Sequence, residues 1–250
     1  MSFLLRLYEK TPFECVSFDV FDTLLLRSPH SELSRFYGAA KHHRKALLPI
    51  GDFDVSDLFN LRSYCHFLGY RTTPLVNGQR EAGVSHIFHM MCTGLNIGDK
   101  WVEPLIQAEV EYECSLLRAN MKLIRDACAI RKRGAKIYVV SDMYLRRMDI
   151  AALLAKLCPQ FIYDDIFVSS EYGQSKHKDG SLFRLFLEQT KLSPGRVLHV
   201  GDNLHSDVDQ ARGMGMEAIH LPRGKIFHLL WKLYNIGKIL QFGRKSIGTV

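Results

Sequence analysis

The segment VSFDVFDTLL, residues 16–25, constrains the fold more than any other part of this sequence. Its apolar run ends at Asp19, which is typical of a buried β-strand followed by a tight turn. A second apolar run, 196–200, leads to Asp202, with Asp207 five residues later. Because the carboxyl ends of parallel strands meet at one edge of an α/β sheet, we expect these carboxylates to converge. Converging carboxylates repel one another unless a cation intervenes, and such oxygen ligands suit Mg²⁺.

Four motifs, spread in order over residues 13–220, resemble those of the haloacid dehalogenase (HAD) superfamily of hydrolases. The motifs are FDVFDT, VVSDMY, SSEYGQSKHKDG and GDNLHSD, which together are far more specific than a single DxxDT. The resemblance implies that Asp19 is a nucleophile that attacks phosphorus and forms an aspartyl-phosphate. It also implies that Ser141, in the second motif, hydrogen-bonds a phosphoryl oxygen.

The third motif is expected to supply a lysine that offsets the charge on the nucleophile and the phosphate. Lys176 and Lys178 both qualify by spacing, and Lys176, which follows Ser175 directly, is preferred. The resemblance further implies a Mg²⁺ site in which one ligand is a main-chain carbonyl. Its expected ligands are Asp19, the carbonyl of Phe21, Asp202 and Asp207.

Phe21 departs from the pattern of the family's ordinary phosphatases, whose second aspartate lies two residues after the nucleophile and acts as general acid and base. Asp22 comes one residue later and is expected to face the turn backbone. An aromatic residue here resembles the 2-haloacid dehalogenases, which need no metal, yet their chemistry does not require the acid pair of the fourth motif. Thr23 and Arg27 complete the predicted site as substrate-binding residues, with Arg27 suited to bidentate contact with an anion. A solvated hinge residue is the alternative for Arg27.

Strand-like and helical patterns alternate through much of the chain, which predicts a Rossmann-like parallel sheet flanked by helices. Strands are expected at 14–19, 136–141, 165–169, 196–201 and 216–220. Helices are expected between the later strands, at about 120–133, 144–157, 180–190 and 205–214.

The segment from 30 to 118 shows only helical patterns, and the resemblance implies a type 1 cap over the active-site crevice. Its helices are expected near 31–47, 55–69, 79–92 and 101–118. The predicted organisation is a core made of 1–26 and 120–221, a helical cap at 27–119 and a basic amphipathic tail at 222–250.

The net charge of +7 suggests nucleic-acid binding at first sight, but its distribution argues against it. Residues 221–250 contain six lysines and arginines and no acid, so the other 220 residues sum to +1. The six cysteines form no CxxC pair and no zinc-like spacing, which favours a reducing, cytoplasmic compartment. The start, MSFLLRLYEK, is too soon interrupted by charge to be a signal peptide.

The tail is predicted to form a helix over 226–245 with a polar, partly basic stripe beside a wide apolar face. The stripe consists of His228, Lys232, Asn235, Lys238, Gln241 and Lys245. Such a helix suits the inner membrane surface or docking to a partner such as a glycosyltransferase. A terminal helix packed on its own domain is the alternative, and Gly237 weakens an isolated helix.

These observations predict a Mg²⁺-dependent hydrolase of a small phosphorylated metabolite. The combination of FDVFDTLL with SDMYL most resembles HAD hydrolases linked to bacterial surface-polysaccharide biosynthesis, which implies a sugar phosphate only by analogy. Two alternatives remain open. One is a hydrolase of the 2-haloacid dehalogenase type, and the other is a catalytically weak phosphosugar-binding or scaffold module.

Overall fold

In the computed structural model, which describes residues 3–11 and 13–243 and side chains as far as Tyr234, five strands form one parallel sheet. The strands are β1 (Cys15–Phe18), β4 (Lys136–Ser141), β5 (Asp165–Val168), β6 (Val197–Gly201) and β7 (Glu217–His220). Their order is β5-β4-β1-β6-β7, so β1 lies at the centre with β4 and β6 beside it. The predicted α/β class is confirmed, and all five expected strands are present.

Helices account for most of the remaining chain. In order they are α1 (Phe3–Lys10), α2 (Glu32–Leu47), α3 (Val55–Thr72), α4 (Val84–Gly94), α5 (Val102–Leu116), α6 (Met121–Lys132), α7 (Arg147–Leu157), α8 (Ser169–Tyr172), α9 (Lys176–Asp179), α10 (Ser181–Thr190), α11 (Gln210–Gly213) and α12 (Lys225–Gly243). A π-helical segment, Leu204–Asp209, follows β6, and 3₁₀ turns occur at Asp99–Trp101 and Pro194–Arg196.

The two faces of the sheet bury separate apolar clusters because successive side chains of a strand point to opposite sides. Val16 and Phe18 belong to one cluster, together with residues of α6 and α7. Cys15 belongs to the other, which includes Phe183 and Phe186 of α10. The sheet is thus covered on both sides, and only its ends are free to form a site.

Helices α2 to α5 lie between two short strands, β2 (Leu25–Arg27) and β3 (Leu117–Ala119), which pair antiparallel. Sequence patterns did not indicate this pair, since three residues are too few to show alternation. The helices agree with expectation except at α4, predicted over 79–92, because Val76 and Gln79 first close a turn through two 2.9 Å backbone hydrogen bonds. The predicted cap boundaries, 27–119, stay a prediction.

The helical tail is present as α12, which ends at Gly243, and 244–250 lie outside the described residues. Of the predicted polar stripe, His228 and Lys232 are described and exposed, whereas the other side chains lie beyond the described set. No helix among the described residues is sufficiently long and apolar to cross a bilayer.

Candidate active site

A cavity of about 340 Å³ opens at the carboxyl edge of the sheet. The residues predicted for the site line it together, with Thr23 as the exception. They are Asp19, Phe21, Arg27, Ser141, Lys176, Asp202 and Asp207. Asp19, Ser141 and Asp202 stand at or just beyond the carboxyl ends of β1, β4 and β6, where an open α/β sheet places its ligand site.

Lys176 lies at the centre of the site and is almost completely buried. Its ammonium group donates to Asp19 Oδ1 at 2.8 Å, to Asp207 Oδ1 at 2.6 Å and to the Val140 carbonyl at 3.0 Å. Burial acts to lower the pKa of Lys176, but the two carboxylates outweigh it and raise the pKa above its usual value. The lysine therefore stays charged and holds the two aspartates on either side of it.

A carboxylate in the loop after β4 fixes the backbone that carries this lysine. Asp142 accepts hydrogen bonds from the backbone N–H groups of Lys176, at 2.8 Å, and His177, at 2.9 Å. Asp142 thus caps α9, whereas Arg146 precedes α7, the helix that follows the strand of Asp142. A carboxylate at this helix start satisfies N–H groups that have no helical partner.

Gln79, from the helical segment, strengthens the same loop. Its amide oxygen accepts from Ser175 N at 3.1 Å and Ser175 Oγ at 3.0 Å. Its amide nitrogen donates to Asp179 Oδ1 at 2.5 Å and Ser181 Oγ at 2.9 Å. This buried glutamine thus ties the inserted helices to the loop that carries Lys176.

The three carboxylates offer the donor set of a divalent cation. Asp19, Asp202 and Asp207 each place one oxygen within 4.8 Å of the others. Burial, and then the nearby acids Asp22 and Asp207, raise the pKa of Asp202 to about 6. Burial raises that of Asp19 to about 7 against the opposing effect of Lys176. Three acids against one lysine leave excess negative charge, so these residues fit Mg²⁺.

Asp207 is the most constrained of the three carboxylates. Its Oδ2 accepts from the Asn203 backbone N–H at 3.0 Å, and its Oδ1 accepts from Lys176. A Cβ at position 201 would overlap the Asp207 carboxyl group, so Gly201 is required for this approach. Burial acts to raise the pKa of Asp207, but Lys176 and His199 overcome it and hold the pKa below its usual value.

A buried hydrogen-bonded line runs from Asp207 into the sheet. His199 Nε2 lies 3.4 Å from Asp207 Oδ1, and His199 Nδ1 lies 2.8 Å from Ser17 Oγ. Burial lowers the pKa of His199, so the ring is neutral. Because Asp207 can only accept, the ring donates from Nε2 and accepts the Ser17 hydroxyl at Nδ1. Ser17 and His199 face each other in register on β1 and β6.

Ser141 places an unpaired hydroxyl in the cavity. The residue is 1% exposed at the end of β4, and its Oγ makes no hydrogen bond to any described residue. A buried hydroxyl without a partner is costly, whereas an oxygen of a bound ligand would satisfy it.

Arg27 covers Phe21, the residue that stands where the motif resemblance implies an acid and base in ordinary phosphatases. Its guanidinium lies 4.0 Å from the centre of the Phe21 ring. Asp22, which has a left-handed φ of 63°, borders the cavity and accepts from the Arg27 backbone N–H at 3.2 Å, so its carboxylate contacts the turn backbone as expected. The same Asp22 oxygen also accepts from Arg223 at 2.7 Å. Two arginines thus contact the carboxylate that directly follows Phe21.

Two further candidates lie away from the reacting groups. Thr23 is completely buried below the turn, with its Oγ1 outside the cavity and unpaired among described residues. Lys178 is half exposed, 3.9 Å from Glu81 and hydrogen bonded to the Arg80 carbonyl. Of the two lysines weighed from the sequence, Lys176 alone contacts the carboxylates.

Sequence patterns did not identify Gln79, Ser17, His199 or Arg223 as parts of this region. His199 carried a signal in principle, since a histidine inside an otherwise apolar strand needs a partner on the neighbouring strand. Gln79 and Arg223 carried none, because each reaches the site from a distant segment.

A family model described as "haloacid dehalogenase-like hydrolase" matches residues 13–215. The chain belongs to this family. It is therefore a hydrolase, and the matched region includes four of the five strands of the sheet and every residue of the site except Arg223.

A curated relative is the glyceraldehyde 3-phosphate phosphatase of Methanocaldococcus jannaschii, which is 26% identical over 113 residues. The alignment covers 44% of this chain and 47% of the relative, so it spans about half of that protein's length.

Two solved structures share the fold at low identity. The 2-haloacid dehalogenase of Pseudomonas syringae pv. tomato is 18% identical with a TM-score of 0.54, and the match covers 83% of this chain and 86% of that one. The HAD phosphatase of Thermococcus onnurineus is 19% identical with a TM-score of 0.53, covering 85% and 87%. At these identities the likeness concerns the fold alone.

Proposed function

We propose that this protein is a Mg²⁺-dependent phosphatase of a small phosphorylated metabolite, acting through a phosphorylated Asp19. The observation that carries the proposal is Lys176, whose ammonium lies 2.8 Å from Asp19 and 2.6 Å from Asp207 inside a cavity edged by Asp202. Such a cationic centre among carboxylates suits a substrate that arrives with the charge of a phosphoryl group.

The chain's own residues divide the work as follows. Asp19 attacks phosphorus and the alcohol leaves, and water then releases phosphate from Asp19. Lys176 opposes the effect of burial on the Asp19 pKa and orients the carboxylate, while the free Ser141 hydroxyl donates to a phosphoryl oxygen. Asp19, Asp202, Asp207 and the Phe21 carbonyl would hold Mg²⁺. When bound, the ion would neutralise phosphoryl charge as a Lewis acid.

Arg27 is proposed to select substrates with a second anionic group. Its side chain reaches the cavity, stacks on Phe21 and has Met143 Sδ 3.9 Å from Nη2. Burial lowers the pKa of Arg27 and neighbouring Arg35 adds to the effect; Glu113 and Asp22 oppose it, and an anionic ligand would oppose it further. The M. jannaschii relative is named for a phosphorylated three-carbon compound, a size compatible with this cavity.

We propose further that the helices α2 to α5 act as a type 1 cap that excludes water and sets specificity. The motif resemblance supports a sugar phosphate from surface-polysaccharide biosynthesis as the substrate class, and the cysteine pattern supports a cytoplasmic location. The 2-haloacid dehalogenase alternative rests on Phe21, an aromatic residue at the position where an ordinary phosphatase would carry its acid and base. Release of halide from a 2-haloacid without metal would favour that alternative.

The test is Asp19→Asn, which keeps the shape of the side chain but removes the nucleophile. We expect phosphate release from a panel of phosphorylated metabolites with Mg²⁺ to fall by roughly 10⁴-fold or more. Brief reaction followed by acid quenching should trap phosphate on Asp19 of the wild-type protein only. A variant with near-normal turnover of its best substrate would refute the covalent mechanism.

A further inference from the structure

Helix α12 presents apolar side chains to solvent instead of burying them. Six of its first ten residues are large, apolar and exposed. They are Ile226 (76%), Leu229 (58%), Leu230 (47%), Trp231 (40%), Leu233 (59%) and Tyr234 (39%). At 100° per residue they occupy a wide arc, and Lys225, His228 and Lys232 fall on the remaining side. A patch of this kind on a stable fold marks an interaction surface.

The charged residues of the segment that contains α12 are all of one sign. No Asp or Glu follows Glu217, and residues 221–250 carry six lysines and arginines. A second copy of the same helix would bring the same positive charge against it. A negatively charged surface that is apolar below its charges complements the helix on both counts.

The fold holds the start of α12 in a defined position. Arg223 donates to Asp22 at 2.7 Å and to the Arg27 carbonyl at 3.0 Å, and its guanidinium lies 3.8 Å from the Phe227 ring centre. Three turns along, the Tyr234 and His30 rings lie 4.4 Å apart. The helix is therefore tied to the body at two places while its apolar side chains stay exposed.

A cavity of about 610 Å³ lies beside the first turns of α12. Arg27, Arg118 and Arg223 line it, with Asp22 as their only carboxylate among the lining residues. Ile226 and Leu230 of the helix form part of its apolar wall. Burial lowers the pKa of Arg223; Asp22 opposes this and Arg118 adds to it, so a further anion would relieve the repulsion.

We propose that α12 and this cavity form a docking surface for a membrane rich in anionic phospholipid. The helix lies in the plane of the interface, with Leu229, Leu230 and Leu233 in the acyl boundary and Trp231 and Tyr234 at headgroup level. The cavity takes a lipid phosphate at Arg118. Because Asp22 and Arg27 border both cavities, the docking surface adjoins the site of hydrolysis.

The first experiment is cosedimentation of the full chain with vesicles of phosphatidylcholine alone or mixed with phosphatidylglycerol. We expect binding to be about tenfold or more stronger to the anionic vesicles and to weaken as salt is raised. Equal pelleting with both vesicle types, or none with either, would overturn the proposal.

The second experiment compares two double variants that introduce the same charge. Leu229→Glu with Leu233→Glu should weaken vesicle binding about tenfold or more, since each loses burial and adds repulsion. Phe67→Glu with Met148→Glu, at residues 61% and 60% exposed elsewhere, is the control and should bind as wild type. Equal losses in both would refute a role of α12.

Two further measurements test the role of the cavity and distinguish a membrane from a second copy of the chain as the occupant of this surface. Arg118→Gln should weaken binding to anionic vesicles, whereas Arg71→Gln, an exposed cation on α3, should not. In analytical ultracentrifugation without lipid, the wild type should sediment as a monomer. A dimer that the α12 double variant dissolves, with no vesicle binding by the wild type, would instead assign the surface to a second copy.

Discussion

Two buried clusters in this molecule both combine acidic and basic side chains, but they differ in charge balance. At the sheet edge, Asp19, Asp202 and Asp207 face a single lysine, so the cluster keeps excess negative charge. Inside the inserted helices, Glu109 faces Arg62 and the charges balance. One cluster is open to a cavity and the other is closed.

The cluster in the helices is fully partnered at its carboxylate. Glu109 accepts from Arg62 Nε at 2.8 Å, from Arg62 Nη2 at 2.5 Å and from the Tyr144 hydroxyl at 2.8 Å. The rings of Phe36, Phe88 and Tyr144 surround the Arg62 guanidinium within 5.3 Å. Burial acts to raise the pKa of Glu109, but Arg62 and His43 reverse this and lower it.

The comparison distinguishes a cluster that stabilises the fold, in the inserted helices, from one that can bind a ligand, at the sheet edge. A balanced, bidentate pair carries no net charge that would attract another ion. The cluster at the sheet edge has unsatisfied charge, acids with raised pKa values and an unpaired Ser141 hydroxyl. Tyr144 links the two, since it follows the Ser141 strand and donates to Glu109.

Breaking the balanced cluster should cost stability. Arg62→Met leaves the Glu109 charge buried without its main partner and should lower the free energy of unfolding by about 3–5 kcal/mol. Chemical denaturation measures the loss. Arg44→Met, which removes an exposed ion pair with Asp52, is the control and should unfold like the wild type. Equal stability of both variants would show that the buried pair does not hold the helices.

Breaking the open cluster should cost activity. Lys176→Met removes the cation that orients Asp19 and should lower kcat about 10²–10³-fold. Lys178→Met is the matched control, because that lysine is half exposed and contacts neither carboxylate. A larger loss in the control would reassign the essential lysine.

Adding an acid should sharpen the contrast. Phe21→Asp supplies the general acid and base that the site lacks without changing a main-chain carbonyl, and should speed hydrolysis of an aryl or sugar phosphate up to about 10²-fold. Steady-state kinetics on both substrate types measures the gain. A wild type that is already fast on simple monoesters, and slowed by the substitution, would show that another residue fills the role, with Asp22 the first suspect.

Protons should compete with Mg²⁺ at the open cluster only. The pKa values of Asp19 and Asp202 are raised from 3.8 to about 7 and about 6, so the folded chain holds these protons more tightly than the unfolded chain. Metal-free stability should therefore fall as pH rises from about 4 to about 7. Mg²⁺ affinity should rise over the upper part of this window, about tenfold per pH unit for each proton released, and level off above it. Calorimetric titration tests this, and flat affinity would contradict it.

The parts of the fold that the sequence predicted are those set by local pattern. Apolar runs identified every strand of the parallel sheet, and their polar ends located Asp19, Ser141 and Asp202. Side-chain contacts between residues that are separated in the sequence were not predictable. The Arg27–Phe21 stack, the contact of Arg223 with Asp22 and the Gln79 hydrogen bonds join segments between 6 and 201 residues apart, for which no local periodicity exists.

Because β2 pairs with β3, the four inserted helices form an insertion whose two ends lie side by side at the core. Leu25 lies opposite Ala119, so the chain leaves and returns at adjacent points. The segment can therefore be exchanged for another of different length at little cost in loop-closure entropy, and without shifting the strands that carry Asp19 and Ser141. If the inserted helices set specificity as proposed, a graft at this junction would change the substrate while the sheet edge that carries Asp19 and Ser141 stays the same.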